Sequence, residues 1–327
     1  MGVLHPLFEK WPALEGRLPV VPLGKWPTPV ERVEGLVAGR EIWVKRDDLS
    51  SPAYGGNKVR KLELVLAGRT GTVITAGALG SHHVLATAIH GRALGLACVG
   101  VLVPQPPGDH ASVVLALNER HCERIVRVDR MAAIPALFGL AARAVRDPSV
   151  VHVVLPGASN ALGTLGWVAA GLELASQAHL GLCPIPERVY VACGTGGTAA
   201  GLALGLALEG LETEVVAVRV ASRLAGNRAW LGTLARRSLR LLRTLGANAP
   251  TPALRLRVEH RFVGPGYGRP TVAAKDAVKR ISESAGLILE TTYTGKALAA
   301  LLHDAQTEPG RGAFMLVNTY GPVENLS

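Results

Sequence analysis

Short runs of β-branched and small apolar residues alternate along the chain with longer stretches rich in alanine and leucine. The runs predict strands at Glu41–Lys45, Thr72–Thr75, Leu96–Val103, Arg124–Val128, Val150–Leu155, Arg188–Ala192, Thr213–Val220 and Ala313–Asn318. Helices are predicted between them: from Ser81 to just before Gly95, then Ala111–Glu119, Ile134–Val145, Ala161–Gln177, Thr198–Leu208, Val272–Ser284 and Gly295–Ala305. Gly95 suits a left-handed helix end. Continuous apolar strands separated by helices predict parallel sheets covered on both faces, an α/β architecture. No fixed repeat and no low-complexity linker divides the chain, and the proline-rich stretch Pro104–Asp109 is too short to separate domains.

Composition narrows this further. At about 150 residues per domain, 327 residues predict two domains. A hydrophobic content of 48% with 18% charged residues rules out a disordered chain, and 4% aromatics means an aliphatic core. No apolar run reaches the roughly 18 residues of a membrane span. Met1–Lys10 lacks the basic-then-apolar order of a secretion signal, so a cytoplasmic location is expected. Cys98, Cys122, Cys183 and Cys193 form no CxxC pair, which argues against a zinc knuckle and for free thiols.

The net charge of +10 owes much to Arg236, Arg237, Arg240 and Arg243, which share a stretch with Trp230, Leu234, Leu239 and Leu242. This predicts an amphipathic helix with a solvated basic face. No zinc-finger spacing or aromatic stacking platform accompanies it, so no nucleic-acid partner is expected.

Chemistry concentrates in a few glycine-rich segments. Gly55-Gly56-Asn57-Lys58-Val59-Arg60-Lys61 sets a lysine before an apolar helix, where a lowered pKa would make it an imine-forming amine. Gly194-Thr195-Gly196-Gly197-Thr198 follows a strand and opens a helix, a phosphate-binding geometry. The same segment fits G-x-G-x-x-A through Ala199, with Glu212 or Glu214 near the spacing of a ribose ligand. The motif alone therefore leaves a nicotinamide-dependent dehydrogenase open. Ser81 reads as a helix N-cap whose free N–H groups could hold a carboxylate. His82 and His83 are adjacent and cannot share a helical face as metal ligands. Tyr267 and Tyr293 occupy glycine-flanked turns, where a phenol could donate a hydrogen bond or move a proton. Thr319 follows the last strand, at an end where open parallel sheets carry sites.

Together these residues resemble the fold-type II pyridoxal phosphate enzymes, in the 1-aminocyclopropane-1-carboxylate deaminase and D-cysteine desulfhydrase family. The resemblance runs from Thr28-Pro29-Val30-Glu31 to Thr319 and includes Lys45-Arg46-Asp47-Asp48, Gly55-Gly56-Asn57-Lys58, Ser159-Asn160-Ala161-Leu162-Gly163, Gly196-Gly197-Thr198 and Tyr293-Thr294-Gly295-Lys296. It implies a tryptophan synthase β-like fold of two open parallel-sheet domains. The small domain would span 65–160 and the large one 1–64 with 161–327, with pyridoxal 5'-phosphate in the cleft. It further implies that Lys58 forms the Schiff base and moves protons, while Lys61 and the Gly194–Thr198 loop hold the phosphate. Asn57 and His82 would contact the cofactor, Thr319 its pyridine nitrogen. Ser81 would meet the substrate carboxylate, and Tyr267 and Tyr293 would line the substrate pocket. A homodimer acting on a small amino acid is implied as well.

Within that family the deaminases carry Ser-Asn-Gln, Tyr-Glu-Gly and a leucine, whereas the desulfhydrases carry Ser-Asn-His, Tyr-Thr-Gly and a threonine. His83, Thr294 and Thr319 lean to the desulfhydrase side. The expected lyase reaction is β-elimination from D-cysteine to pyruvate, ammonia and hydrogen sulfide. Deamination of 1-aminocyclopropane-1-carboxylate, or elimination from another amino acid, is the alternative. Four positions depart from the family: His82 stands for an asparagine that contacts the cofactor ring oxygen, Asn318 for a histidine, Tyr320 for a glycine, and Leu85 for an arginine. The changes at His82 and Tyr320 leave open a cofactor-binding protein without catalysis.

Overall fold

The apolar runs assemble into two sheets in a computed structural model of the chain, which describes residues 4–129, 139, 150–308, 310, 312–324 and 326. In chain order, α1 (Pro6–Lys10) leads to β1 (Val30–Val33), β2 (Ile42–Lys45) and α2 (Val59–Val65). Next come β3 (Thr72–Ala78), α3 (His82–Ala93), β4 (Ala97–Val103), α4 (Asp109–His121), β5 (Arg124–Arg127) and β6 (Val151–Val154). Then follow α5 (Ala161–His179), β7 (Arg188–Cys193), α6 (Gly197–Leu208), β8 (Glu214–Arg219) and α7 (Arg228–Thr244). The chain closes with β9 (Leu256–Glu259), α8 (Val272–Ala285), α9 (Thr294–Thr307) and β10 (Phe314–Val317).

One sheet has the order β5-β4-β3-β6 and is parallel throughout. The other has the order β1-β2-β10-β7-β8-β9 and is parallel except at β1. That exception differs from the all-parallel expectation. The link between β1 and β2 holds no helix, and a parallel return needs a crossover of about a dozen residues or more. Strands β1 and β9 were not legible as strands because Glu31, Arg32, Arg257 and Glu259 interrupt their apolar pattern. Both lie on sheet edges, where charged side chains reach solvent and discourage further pairing. Apart from Gly139, the expected helix at Ile134–Val145 lies outside the described residues.

The cores follow from the sequence. Strands β7 and β8 are buried along nearly their whole length, and α6 is apolar on all sides because it packs between a sheet and α5. Helix α7 buries Leu231, Leu234, Leu239 and Leu242, and leaves Arg236, Arg237, Arg240 and Arg243 in solvent, as its amphipathic pattern predicts.

Helix α2 sits against α5 at one glycine. A Cβ on Gly166 would lie 1.9 Å from the Arg60 carbonyl oxygen, so no larger residue lets the helices meet here. The Arg60 guanidinium bonds Asp47 at 2.7 and 2.9 Å and Glu173 at 2.9 Å through both carboxylate oxygens. Lys45 reaches the same Glu173 carboxylate at 2.5 Å. All four groups are buried, so each charge relies on its partners. This network holds α2, and hence Lys58 and Lys61, to the six-stranded sheet.

Candidate functional site

A cavity of about 390 Å3 opens between the two sheets, at the ends where β3, β7 and β10 finish. It is lined by Asn57, Lys58, Lys61, Ser81, His82, Gly194, Thr195, Gly196, Thr198, Tyr267, Tyr293 and Thr319. The residues expected to hold pyridoxal phosphate and its substrate are therefore brought to one place, with Gly197 directly behind the wall. Chain order could not give this convergence, because the contributors come from both sheets.

One end of the cavity is built for an anion. After β7 the backbone turns through Gly196 (φ 93°) into α6, whose first N–H groups face the loop. The Trp230 indole N–H donates to the Thr195 carbonyl at 3.0 Å, so the basic helix α7 braces this turn through its apolar side. Ser159 Oγ lies 2.7 Å from Thr195 Oγ1 and accepts from the Gly197 N–H at 3.3 Å. Lys61 Nζ donates to the Gly157 carbonyl at 3.0 Å and to Ser159 Oγ at 3.2 Å. A Cβ on Gly197 would come within 3.0 Å of that ammonium. Burial, with the nearby Lys58 charge, pushes the Lys61 pKa well down. A buried amine hydrogen-bonded to neutral oxygens beside a helix N-terminus could hold a phosphate.

The ribose ligand proposed from spacing is not at hand. Glu214 pairs with Arg188 at 3.2 Å and Arg257 at 3.3 Å, and Glu212 with Arg255 at 3.1 Å. Glu214 begins β8, opposite Arg188 in the ladder, while the glycine turn leaves the far end of β7. The parallel register puts a strand length between carboxylate and cavity, and the dinucleotide pattern loses its acidic member.

Lys58 immediately precedes α2. Its Nζ donates to Asn57 Oδ1 at 2.6 Å, and the Asn57 amide donates to Thr198 Oγ1 at 3.0 Å. The Asn57 backbone is fixed on both sides: its N–H donates to the Thr319 carbonyl, and its carbonyl accepts from the Trp167 indole at 3.0 Å. Desolvation lowers the Lys58 pKa to about 8, against the opposing pull of Glu290. That supplies neutral amine near physiological pH, as a nucleophile or proton carrier needs.

Ser81 caps α3, its Oγ accepting from the Val84 N–H at 3.3 Å, and Gly95 takes the expected positive φ of 75° at the other end. His83, which borders the cavity, has its Nε2 2.9 Å from Thr75 Oγ1, while its Nδ1 is buried and without a hydrogen-bond partner among the described residues. The Tyr293 hydroxyl donates to that of Tyr267 at 2.8 Å, with the rings edge to face. Burial raises both phenols, so each is a neutral acid.

Two residues that sequence reasoning passed over assemble this pair. Glu290 accepts N–H bonds from Thr292, Tyr293 and Thr294 at 2.6–2.8 Å, which fixes Tyr293 at the start of α9. Lys296 Nζ donates to the Val263 and Gly266 carbonyls at 2.8 and 3.3 Å, which draws the Tyr267 loop down onto α9. The signal for Glu290 was its place just before a predicted helix, an acidic cap. Lys296 stood in the Tyr293-Thr294-Gly295-Lys296 motif with no role of its own, because its partners are carbonyls of a distant loop.

His82 has both ring nitrogens engaged. Nδ1 lies 2.5 Å from the Tyr54 hydroxyl and Nε2 lies 2.8 Å from His110 Nε2. Burial, then His110 and Lys58, lower its pKa to about 3, so the imidazole is neutral. Tyr320 packs edge-on against it, ring centroids 5.4 Å apart, and donates its hydroxyl to Glu324 at 3.2 Å. Tyr320 thus fills space beside His82, and the two departures from the family are in contact.

Known proteins resemble this chain over most of its length. Residues 21–319 match the family described as pyridoxal-phosphate dependent enzyme. Curated relatives include the D-cysteine desulfhydrases of Salmonella paratyphi B and Salmonella newport, each 35% identical over 305 residues, or 88% of either chain. Among solved structures, one described as an ACC deaminase homologue is 26% identical, covers 97% of this chain and 95% of its own, and superposes with a TM-score of 0.81. Threonine deaminase isoform 2 from Solanum lycopersicum shares the fold at 14% identity and a TM-score of 0.64, over 99% of this chain and 92% of its own.

Proposed function

Because the chain belongs to the pyridoxal-phosphate dependent enzyme family and takes pyridoxal 5'-phosphate as its cofactor, we propose that it is a lyase eliminating the β-substituent of a small amino acid, with D-cysteine as substrate. The observation that carries this reading is the pairing of a low-pKa amine, Lys58, with a buried cation and helix N-terminus at Lys61 and Gly197, in one cavity between the sheets. The first suits the cofactor's aldehyde and the second its phosphate. We also take residues 65–160 as a small domain and 1–64 with 161–327 as a large one, following the strands each contributes. The four buried free thiols support a cytoplasmic location.

When bound, the cofactor supplies an electron sink for the pair left at the substrate's α-carbon. The chain's residues do the rest. The N-terminus of α3, with Ser81, orients the substrate carboxylate. Lys58 Nζ, steadied by Asn57, accepts the α-proton. Tyr293 donates to Tyr267, so the Tyr267 hydroxyl hydrogen is free to protonate the departing sulfur. Thr294 carries no acid beside Tyr293; its hydroxyl bonds the Glu290 carboxylate at 3.2 Å. The net reaction takes D-cysteine and water to pyruvate, ammonia and hydrogen sulfide.

The solved relative described as an ACC deaminase homologue favours ring opening of 1-aminocyclopropane-1-carboxylate as a second reading. Incubating the holoenzyme separately with D-cysteine, L-cysteine and this cyclic amino acid tests both. Sulfide and pyruvate from D-cysteine are expected. Turnover of the cyclic substrate alone, to 2-oxobutanoate, would replace the first reading by the second. Bound cofactor with no turnover of any amino acid would leave a binding protein.

A further inference from the structure

Four rings meet at one side of the cavity, and they come from both sheets. Tyr54 precedes α2 and Tyr320 follows β10, while His82 opens α3 and His110 lies in the first turn of α4. Tyr54 and Tyr320 are buried, and both histidines are half-buried. His82 is the hub: its ring lies parallel to Tyr54 and within 23° of His110, joined to each edge to edge by a ring nitrogen, and meets Tyr320 edge-on.

The hydrogen bonding of the hub limits what it can offer a ligand. A neutral imidazole has one N–H and one lone pair in its plane. Whichever nitrogen of His82 holds the proton, one faces Tyr54 and the other His110, and both partners can donate or accept. Either tautomer therefore leaves no in-plane polar group for the cavity. An amide at this position would have had two N–H donors and a carbonyl.

We propose that Tyr54 and His110 are positioning residues that clamp His82 so that it meets the bound cofactor as a fixed wall of ring carbon, and not as a hydrogen-bond donor. This rests on the seating of pyridoxal phosphate at Lys58, on whose cavity His82 borders. Tyr320 closes the fourth side and keeps the ring from swinging away. Breaking either bond releases one nitrogen of His82, which then reaches into the cavity.

The bound cofactor reports on this directly, because protonation at its ring oxygen and imine changes its visible absorption. A donor aimed at an ionised oxygen favours the ionised form and lowers the midpoint of that change. The experiment titrates the visible spectrum of the reconstituted holoenzyme with pH, without substrate, for the wild type and four variants. H110F frees Nε2, Y54F frees Nδ1, H82N installs an amide donor, and H82F removes every donor. H110F, Y54F and H82N are expected to lower the midpoint by about 1 unit, while H82F keeps it near the wild-type value. Unshifted midpoints in both H110F and Y54F, each checked for native circular dichroism, would overturn the clamp. So would a rise in H82F, which would mean that His82 already donates to the cofactor. A wild-type protein that binds the cofactor without forming a band dependent on Lys58 would overturn the seating, and the inference with it.

Discussion

The Tyr293 hydroxyl donates to the Tyr267 hydroxyl across 2.8 Å, joining two segments 26 positions apart into one acid. The order of donation makes the two phenols unequal. Y267F removes the hydrogen that faces the cavity and is expected to lower kcat by ~10²-fold, the low end for a positioned general acid. Y293F removes a supporting donor and is expected to cost about 10-fold at most, in keeping with one neutral hydrogen bond. Steady-state kinetics on D-cysteine checks this; equal losses in the two variants would refute the assignment.

Lys58, with a pKa of about 8, fixes how cofactor uptake depends on pH. Imine formation needs the neutral amine, so the rate of uptake by the apoprotein is expected to rise with pH and level off just above 8. An unperturbed lysine would still be gaining rate near pH 10. Stopped-flow absorbance of apoprotein mixed with pyridoxal phosphate reads this, and K58A should form no imine band.

Lys61→Met removes the buried amine proposed to meet the phosphate while keeping the length of the side chain. A charge-assisted hydrogen bond contributes ~1.5–3 kcal/mol, so cofactor Kd is expected to rise roughly 10- to 100-fold. Equilibrium dialysis measures it. Unchanged affinity would mean that the phosphate sits elsewhere.

The arginine–carboxylate network under α2 makes stability depend on acid. Burial alone would raise Glu173, but Arg60 and Lys45 beside it bring its pKa down to about 2. A carboxylate whose pKa is lower folded than unfolded contributes stability that is complete above the unfolded value and lost as pH falls through the folded one. The loss is therefore expected between about pH 4.5 and 2, and amounts to ~3 kcal/mol. Urea unfolding at pH 7 and at low pH should show E173Q destabilised at neutrality and less steeply acid-sensitive than wild type. Arg60→Met leaves Asp47 and Glu173 buried without their cation and is expected to cost ~3–5 kcal/mol.

The parallel sheets, the caps at Ser81 and Gly95 and the glycine turn at Gly194–Thr198 were legible because each has a local signature. Apolar strand runs, a hydroxyl before a helix and a small-residue turn after a strand act within a few residues of themselves. Strands β1 and β9 were missed because edge strands tolerate the charges that hide them. Glu214 was misplaced as a ligand because spacing along the chain does not say which end of a parallel strand a residue occupies. Lys296 and His110 were missed for a related reason: their partners, the Tyr267 loop and His82, lie on segments that only the fold brings near.

Lys58 and Lys61 stand one helical turn apart, at the start of a helix pinned by Gly166 and Arg60. The amines proposed to form the imine and to meet the phosphate therefore share one rigid ruler, whose length is set by backbone pitch and not by side-chain choice. One residue inserted between them would turn the second lysine by about 100° around the axis. Substitution at Val59 is a question of packing, but a change in the number of residues there would dismantle the site. The three steps from Lys58 to Lys61 are accordingly a stretch whose length the proposed site depends on.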